Sequence, residues 1–239
     1  MDLLNQAIGQ IACDIPGATR IFHEHKLDFC CGGNHSLRDA AAKRGVDLTV
    51  LTEQLERLRE QARPERDWRE ASPGDVIEYI LRRFHEHHRE QLPELIRLAR
   101  RVETVHADKP DCPVGLADHL AFIEQDLASH MMKEEQILFP MLLRGIYAQS
   151  IPPIARMRRE HDQHGESLAR LEQLTSDITP PASACTTWRA LYAGLAQLRE
   201  DLMQHIHLEN NVLFTTVEKE AGSISAAGEF ACPACSSCC

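Results

Sequence analysis

The sequence predicts an all-α protein: a small N-terminal helical domain followed by an up-down four-helix bundle. Three observations carry this. Aromatic residues make up only 5 % of 239 residues, while Leu and Ala abound and β-branched runs are scarce. Four amphipathic stretches, each about 20 to 35 residues, follow one another with short breaks, the pattern of antiparallel helical neighbours. The chain also repeats itself: Leu-x2-His-x3-Glu-x3-Leu-Phe begins at Leu127 and again at Leu202, 75 positions later.

Residues 1–61 form the N-terminal unit, with IPGATRIFHEHKLDFCCGG, SLRDAAAKRGVD and the amphipathic LTVLTEQLERLREQ in order. The polar, proline-bearing stretch that begins at Ala62 reads as a linker over 62–74. The bundle then occupies 75–221. Its first helix runs from about Asp75 to Val105, with Ile77, Ile80, Leu81, Phe84 and His88 on one stripe. The second runs from about Pro113 to Gly145, and Pro140 predicts a kink or an early end there. The third is expected to start after the break SIPP and to reach Leu174. The fourth spans about Thr186 to Ala221, leaving a small-residue, Cys-rich flexible tail over 222–239.

Composition excludes several function classes. A formal net charge of -10 argues against nucleic acid or an anionic membrane as partner. No apolar run approaches the roughly 20 residues of a membrane span. The N-terminus shows neither a basic flank nor a continuous apolar stretch, so no secretory signal is read. Nine cysteines, an odd number and four of them in the last eight residues, do not read as a disulfide framework. A cytoplasmic location is expected.

The repeat extends further. HEHHREQL from His85 matches HDQHGESL from His161, offset by 76 positions. Helices one and three therefore correspond, as do two and four, and an approximate two-fold axis along the bundle is expected. Residues i and i+4 share a helix face, so His130 with Glu134, and His205 with Glu209, point inward together. His85 and His161 add one imidazole each. A buried carboxylate needs a compensating cation. Four imidazoles and two carboxylates exceed what one tetrahedral zinc takes, and they suit two first-row metals bridged by the carboxylates. Iron or manganese satisfies that donor set. With iron, an oxo or hydroxo bridge would supply further charge, and open positions would admit nitric oxide or dioxygen.

His88 and His164 share the ligand faces and are read as groups behind the ligands or as alternative ligands. Glu160 and Asp126 are read with them as groups behind the ligands that could line a proton or ion path. Glu135, about 100° around the helix from Glu134, is read as a non-ligand. His87 and His207 should point elsewhere, and His106 and His119 should be solvated. Cys30 and Cys31 lie in DFCCGG, where two glycines allow a helix stop and a close backbone approach, and a bond between such neighbours would be easily reduced. Cys13, Cys112 and Cys185 carry no motif. Cys232, Cys235, Cys238 and Cys239 offer thiols to soft metals but lack the second half of a zinc site.

The strings DFCCGG, HREQLPEL, VHADKP, SHMMKEEQILFPM, EHD and HIHLENNVLF resemble the iron–sulfur cluster repair di-iron proteins, the ScdA-like family, from about Leu4 to Lys219. That resemblance implies a ScdA-type N-terminal domain and a haemerythrin-like bundle with two non-haem irons. It puts the ligands on His85, His130, Glu134, His161, His205 and Glu209, and it gives Cys30 and Cys31 a role in redox or transfer. It implies repair of clusters damaged by nitrosative or oxidative stress, by supplying iron, with damaged iron–sulfur proteins as partners. The alternatives are a di-iron nitric oxide reductase producing nitrous oxide, or a haemerythrin-like sensor of nitric oxide or dioxygen. A homodimer is compatible with this reading. The Cys-rich tail departs from the family pattern.

Overall fold

The computed structural model describes residues 3–61 and 67–228. Among these the regular structure is helical, with one isolated bridge between Ala7 and Ser36. The N-terminal unit packs four short helices: α1 (Ile8–Asp14), α2 (Ala18–Glu24), α3 (Leu37–Arg44) and α4 (Leu48–Gln61). Gly17, at φ 85°, opens α2 from the left-handed region that favours glycine. Ser36 caps α3 by accepting from the Asp39 amide at 3.1 Å, and Gly45 ends it at φ 68°.

The bundle is built from four long rods, three of them interrupted by a π-turn. The first joins α5 (Pro73–Ile80), a π-turn at Leu81–His85 and α6 (Glu86–Val105). The second joins α7 (Leu116–Lys133), a π-turn at Glu134–Leu138 and α8 (Phe139–Leu143). The third is α9 (Tyr147–Leu174) alone, and the fourth joins α10 (Thr186–His207), a π-turn at Leu208–Leu213 and α11 (Phe214–Gly228). Rod one packs on two and four, and three packs on two and four, which is the cyclic order of an up-down bundle.

Three expectations about helix ends are corrected. SIPP is no break, for α9 starts at Tyr147 and carries Pro152 and Pro153. Those prolines remove two bonds to the carbonyls of Ala148 and Gln149, residues exposed enough for water to take over. Pro140 does not end rod two, which runs three residues further. The Phe139 amide has already shifted to a π-bond with the Glu134 carbonyl, and Pro140 falls in the first turn of the helix that restarts there. The fourth rod continues past Ala221 to Gly228, so the start of the expected tail is helical. Cys232, Cys235, Cys238 and Cys239 lie outside the described residues.

The expected linker is anchored over its described part. Trp68 packs on Tyr79 with ring centroids 4.2 Å apart. Arg69 pairs with Asp67 at 2.6 Å and also with Asp14 of the N-terminal unit.

Two apolar clusters fill the interior. One runs from the N-terminal unit (Ile8, Phe22, Leu37, Leu55) into the bundle through Leu95, Trp188 and Leu198. The other, with Val76, Phe84, Phe139, Ile154 and Phe214, closes the opposite end. A layer of buried histidine and glutamate side chains lies among residues that adjoin both.

Candidate metal centre

Each π-turn adds a residue to a helical turn and commonly marks a functional position. Here the turns bring His85, Glu134 and Glu209 into the interior; their side chains are fully buried. His130, His161 and His205 join them from α7, α9 and α10. Two interlocked donor groups result: His85, Glu134, His205 and Glu209 in one, and His130, Glu134, His161 and Glu209 in the other. Within each group the donor atoms lie within 4.8 Å of one another, and both carboxylates belong to both groups.

The imidazoles aim their Nε2 atoms at the carboxylates. His85 and His205 Nε2 are 3.1 Å apart, as are His130 and His161 Nε2. Glu134 sits 3.5 Å from His85 Nε2 and 3.3 Å from His130 Nε2, and Glu209 sits 3.0 Å from His161 and 3.2 Å from His205. Despite these distances none of the four carboxylate oxygens has a hydrogen bond of acceptable geometry. Buried polar atoms left this way cost free energy unless something else holds them. One cation in each donor group would satisfy all of them, so the residues present fit a pair of metal ions.

The charges lead to the same place. Burial and mutual repulsion push the Glu134 carboxyl upward, and the imidazoles, His130 foremost, more than offset this and hold it low. Glu209 is likewise held low against its burial, by His161 first. Burial opposes protonation of His130, yet Glu134 raises it to about 10. The two anions thus demand positive charge, which protons on imidazole supply when no metal does.

Three of the four rings are fixed by their other nitrogen. His85 Nδ1 donates to Glu135 at 2.8 Å, His130 Nδ1 donates to Glu160 at 3.0 Å, and His161 Nδ1 donates to the Asn210 side-chain oxygen at 2.9 Å. Such acceptors set the tautomer that leaves Nε2 free to coordinate. Glu135 and Asn210 are 75 positions apart, so the repeat supplies the same acceptor in both halves; reading it one residue beyond Glu134 and Glu209 would have found them. Phe139 and Phe214, also 75 apart, face His85 and His161 at 5.8 and 6.0 Å between centroids.

The halves differ in how they hold the fourth ring. Glu160 lies 76 positions after Phe84. Where Glu160 holds His130, Phe84 stacks on His205 at 5.4 Å, and His205 Nδ1 has no partner. Glu160 thus sits behind His130, and it also accepts from Lys133 at 2.7 Å and Arg156 at 2.6 Å. The His130 hydrogen bond is the main reason its carboxyl stays far below the usual range.

His88 and His164 belong to neither donor group. The His88 ring is 5.5 Å from His205, the His164 ring 4.7 Å from His130, and both are buried. Burial, helped by the neighbouring imidazoles, drives each to about 2, so both are neutral. Asp126, 38 % exposed at its side chain, comes within 3.2 Å of His164 Nε2. His207 faces away, onto Phe29 and Cys13 of the N-terminal unit. His106, expected in solvent, is buried against Trp188 with Nε2 3.2 Å from Cys185 Sγ. Helix-end position misled there because the inter-rod loops fold back over the bundle end. His119 is half-buried and donates to the Ser167 carbonyl at 2.8 Å.

Residues 76–217 match the hemerythrin HHE cation binding domain, which encloses all six donors. The chain belongs to the haemerythrin family. Within this haemerythrin-family chain, residues 4–59 match a second family, the ScdA N-terminal domain of unknown function, which encloses Cys30 and Cys31. Whole-length relatives carry both parts. The chain is 53 % identical over 214 residues to the iron–sulfur cluster repair protein YtfE of Dickeya chrysanthemi, covering 90 % of this chain and 97 % of that one. It is 52 % identical to the YtfE protein of Pectobacterium atrosepticum over 88 % and 95 % of the two chains. With that of Yersinia pseudotuberculosis the identity is 50 % over 90 % and 97 %. Among the described residues of this haemerythrin-family protein no helix is long and apolar enough to cross a membrane.

The CCGG segment joins the bundle without ending a helix, since α2 stops at Glu24. The glycines serve a close approach instead. A Cβ on Gly33 would meet Asn211 Oδ1 at 2.6 Å and the Phe29 carbonyl at 2.7 Å. Asn210 and Asn211 donate to the Cys30 and Phe29 carbonyls at 3.0 and 3.1 Å. Sequence pattern alone did not single out either asparagine, though both directly follow the proposed ligand Glu209.

Proposed function

We propose that this protein repairs damaged iron–sulfur clusters, holding two non-haem irons on His85, His130, Glu134, His161, His205 and Glu209 and supplying iron to its targets. The observation that carries the reading is the sharing of Glu134 and Glu209 by both donor groups, which suits two adjacent ions and not one. The names of the relatives support the repair role.

Each residue's task follows from its contacts. Glu134 and Glu209 would each be shared by the two ions. Glu135, Glu160 and Asn210 keep three imidazoles in the tautomer that presents Nε2. Phe84, Phe139 and Phe214 wall the rings and exclude water. When bound, the irons supply redox chemistry and open positions for small ligands such as nitric oxide or dioxygen. Six donors shared between two ions would leave such positions open, unlike a closed structural site.

Iron quantitation with Mössbauer spectroscopy on anaerobic protein tests the site. About two irons per chain are expected in the parent, with collapse in Glu134→Ala and Glu209→Ala; unchanged iron in both variants removes the bridging assignment. Incubating the iron-loaded chain with a nitric-oxide-damaged cluster enzyme tests the role. Reactivation that tracks bound iron supports repair. Nitrous oxide formation with a reductant, and no reactivation, would replace repair with reductase activity.

A further inference from the structure

A second group of donors lies outside the bundle centre. Asp28, Cys30 and Cys31 bring a carboxylate oxygen and two thiols within 4.8 Å of one another. The two Sγ atoms are 3.8 Å apart and unbonded. Two sulfurs each about 2.3 Å from one tetrahedral cation would stand roughly 3.8 Å apart. Asp28 Oδ1 accepts from the Cys31 amide at 2.9 Å and from Cys30 Sγ at 3.4 Å, which fixes the carboxylate beside the thiols. Cys30 is buried, Cys31 half-buried and Asp28 exposed, so the group is rooted in the protein and open on one side.

The bundle is altered to receive it. In the first half Arg89 covers the acceptor Glu135 at 2.6 Å. At the equivalent places of the second half stand Gly165, 76 positions after Arg89, and Asn210. A Cβ on Gly165 would lie 4.0 Å from Cys31 Sγ, in ordinary contact, so the thiol borders the place where a longer side chain would stand. Asn210, unlike a glutamate, can accept from His161 and also donate to the Cys30 carbonyl. Cys31 Sγ then donates to the backbone carbonyl of His161 at 3.4 Å. The same groove, about 590 Å³, is lined by Cys30, Cys31 and Asp28 on one side and by Asp162 and Glu166 on the other.

We propose that Asp28, Cys30 and Cys31 form a second cation site, taking a thiophilic divalent ion, ferrous iron in transit between the bundle and the outside. Binding forms two metal–thiolate bonds and one metal–carboxylate bond and releases the two thiol protons to water; no electron moves. The identity of the cargo rests on the iron-supply reading above, whereas the site itself does not.

The test uses the full chain, iron-loaded and anaerobic, with Cys232, Cys235, Cys238 and Cys239 changed to Ser so that the tail cannot compete. It is titrated with Co2+ alone and followed by thiolate-to-cobalt charge-transfer absorbance, with bundle iron measured on the same samples. One equivalent of cobalt is expected to give the band, Cys31→Ser to abolish it, and Asp28→Asn to weaken binding about tenfold or more. Bundle iron should not change in any of them. A parent without the band, whether its two thiols stay protonated or close into a disulfide, overturns the site. A band that survives Cys31→Ser overturns it as well. If the band is present but bundle iron is absent, the iron-supply reading fails and the thiol site stands.

Discussion

Asn210 accepts from His161 Nδ1 at 2.9 Å and, through its other side-chain atom, donates to the N-terminal unit at the Cys30 carbonyl. One side chain thus orients a metal-facing ring and docks a domain.

Asn210→Ala removes both roles. Chelator competition is expected to show metal affinity at the His130–His161 group falling about 10- to 100-fold. Asn210→Asp keeps an acceptor for His161 but sets a carboxylate against the Cys30 carbonyl. It should retain most of the metal affinity while limited proteolysis separates the N-terminal unit from the bundle more readily. Equal metal loss in both variants would show that orientation is not what Asn210 contributes.

Glu135→Ala and Glu160→Ala should each weaken metal binding by a similar factor. They differ in stability. Glu160→Ala leaves buried His130 and the ends of Lys133 and Arg156 without their acceptor, so urea denaturation should register a loss of about 1–3 kcal/mol. Glu135 serves His85 and Arg89 on a more open face, and its loss should be the smaller of the two.

Gly33→Ala drives a methyl group into Asn211 and the Phe29 carbonyl. Overpacking of this kind costs about 1–3 kcal/mol. Chemical denaturation should show it, with bundle iron retained, because no donor of the centre moves.

Burial, and then the charge of Arg199, lowers His23 below its usual value, so the folded chain holds it neutral. The unfolded chain takes up that proton first, near pH 6.5. The contribution of His23 is therefore complete above that pH and is lost as pH falls toward the depressed folded value. Denaturation of the parent and His23→Gln at pH 7.5 and 5.5 should show a steeper loss in the parent.

Burial lifts Cys13 to about 11, against the milder opposing effect of Arg69. Only the thiolate alkylates. Iodoacetamide at pH 8 should modify exposed Cys185 well before Cys13, as peptide mass analysis would reveal.

The repeat made much of this legible. Matching histidines and glutamates at fixed offsets selected the six side chains that the bundle brings together, because burying a carboxylate in an apolar stripe needs a cation and the stripe itself is visible in sequence. What was not legible depended on backbone departures. The π-turns have no residue signature that single-sequence periodicity detects, and they decide how Glu135 and Asn210 face the rings. Pro152 and Pro153 read as a break because the local rule counts lost bonds and not the water that replaces them. His106 was misplaced because burial of a helix end is set by which loop folds over it. The tie between LENN and DFCCGG joins residues about 180 positions apart, and neither string announces the other.

The layer of acids and imidazoles between the two apolar clusters has a mechanical consequence. Ions that bind the folded state and not the unfolded one stabilise it in proportion to their occupancy. A bundle without ions holds two acids at its waist with only protons to quiet them. Emptying the centre should therefore slacken the molecule in its middle, so that the ion-free chain is softer than the filled one and refilling is what stiffens it.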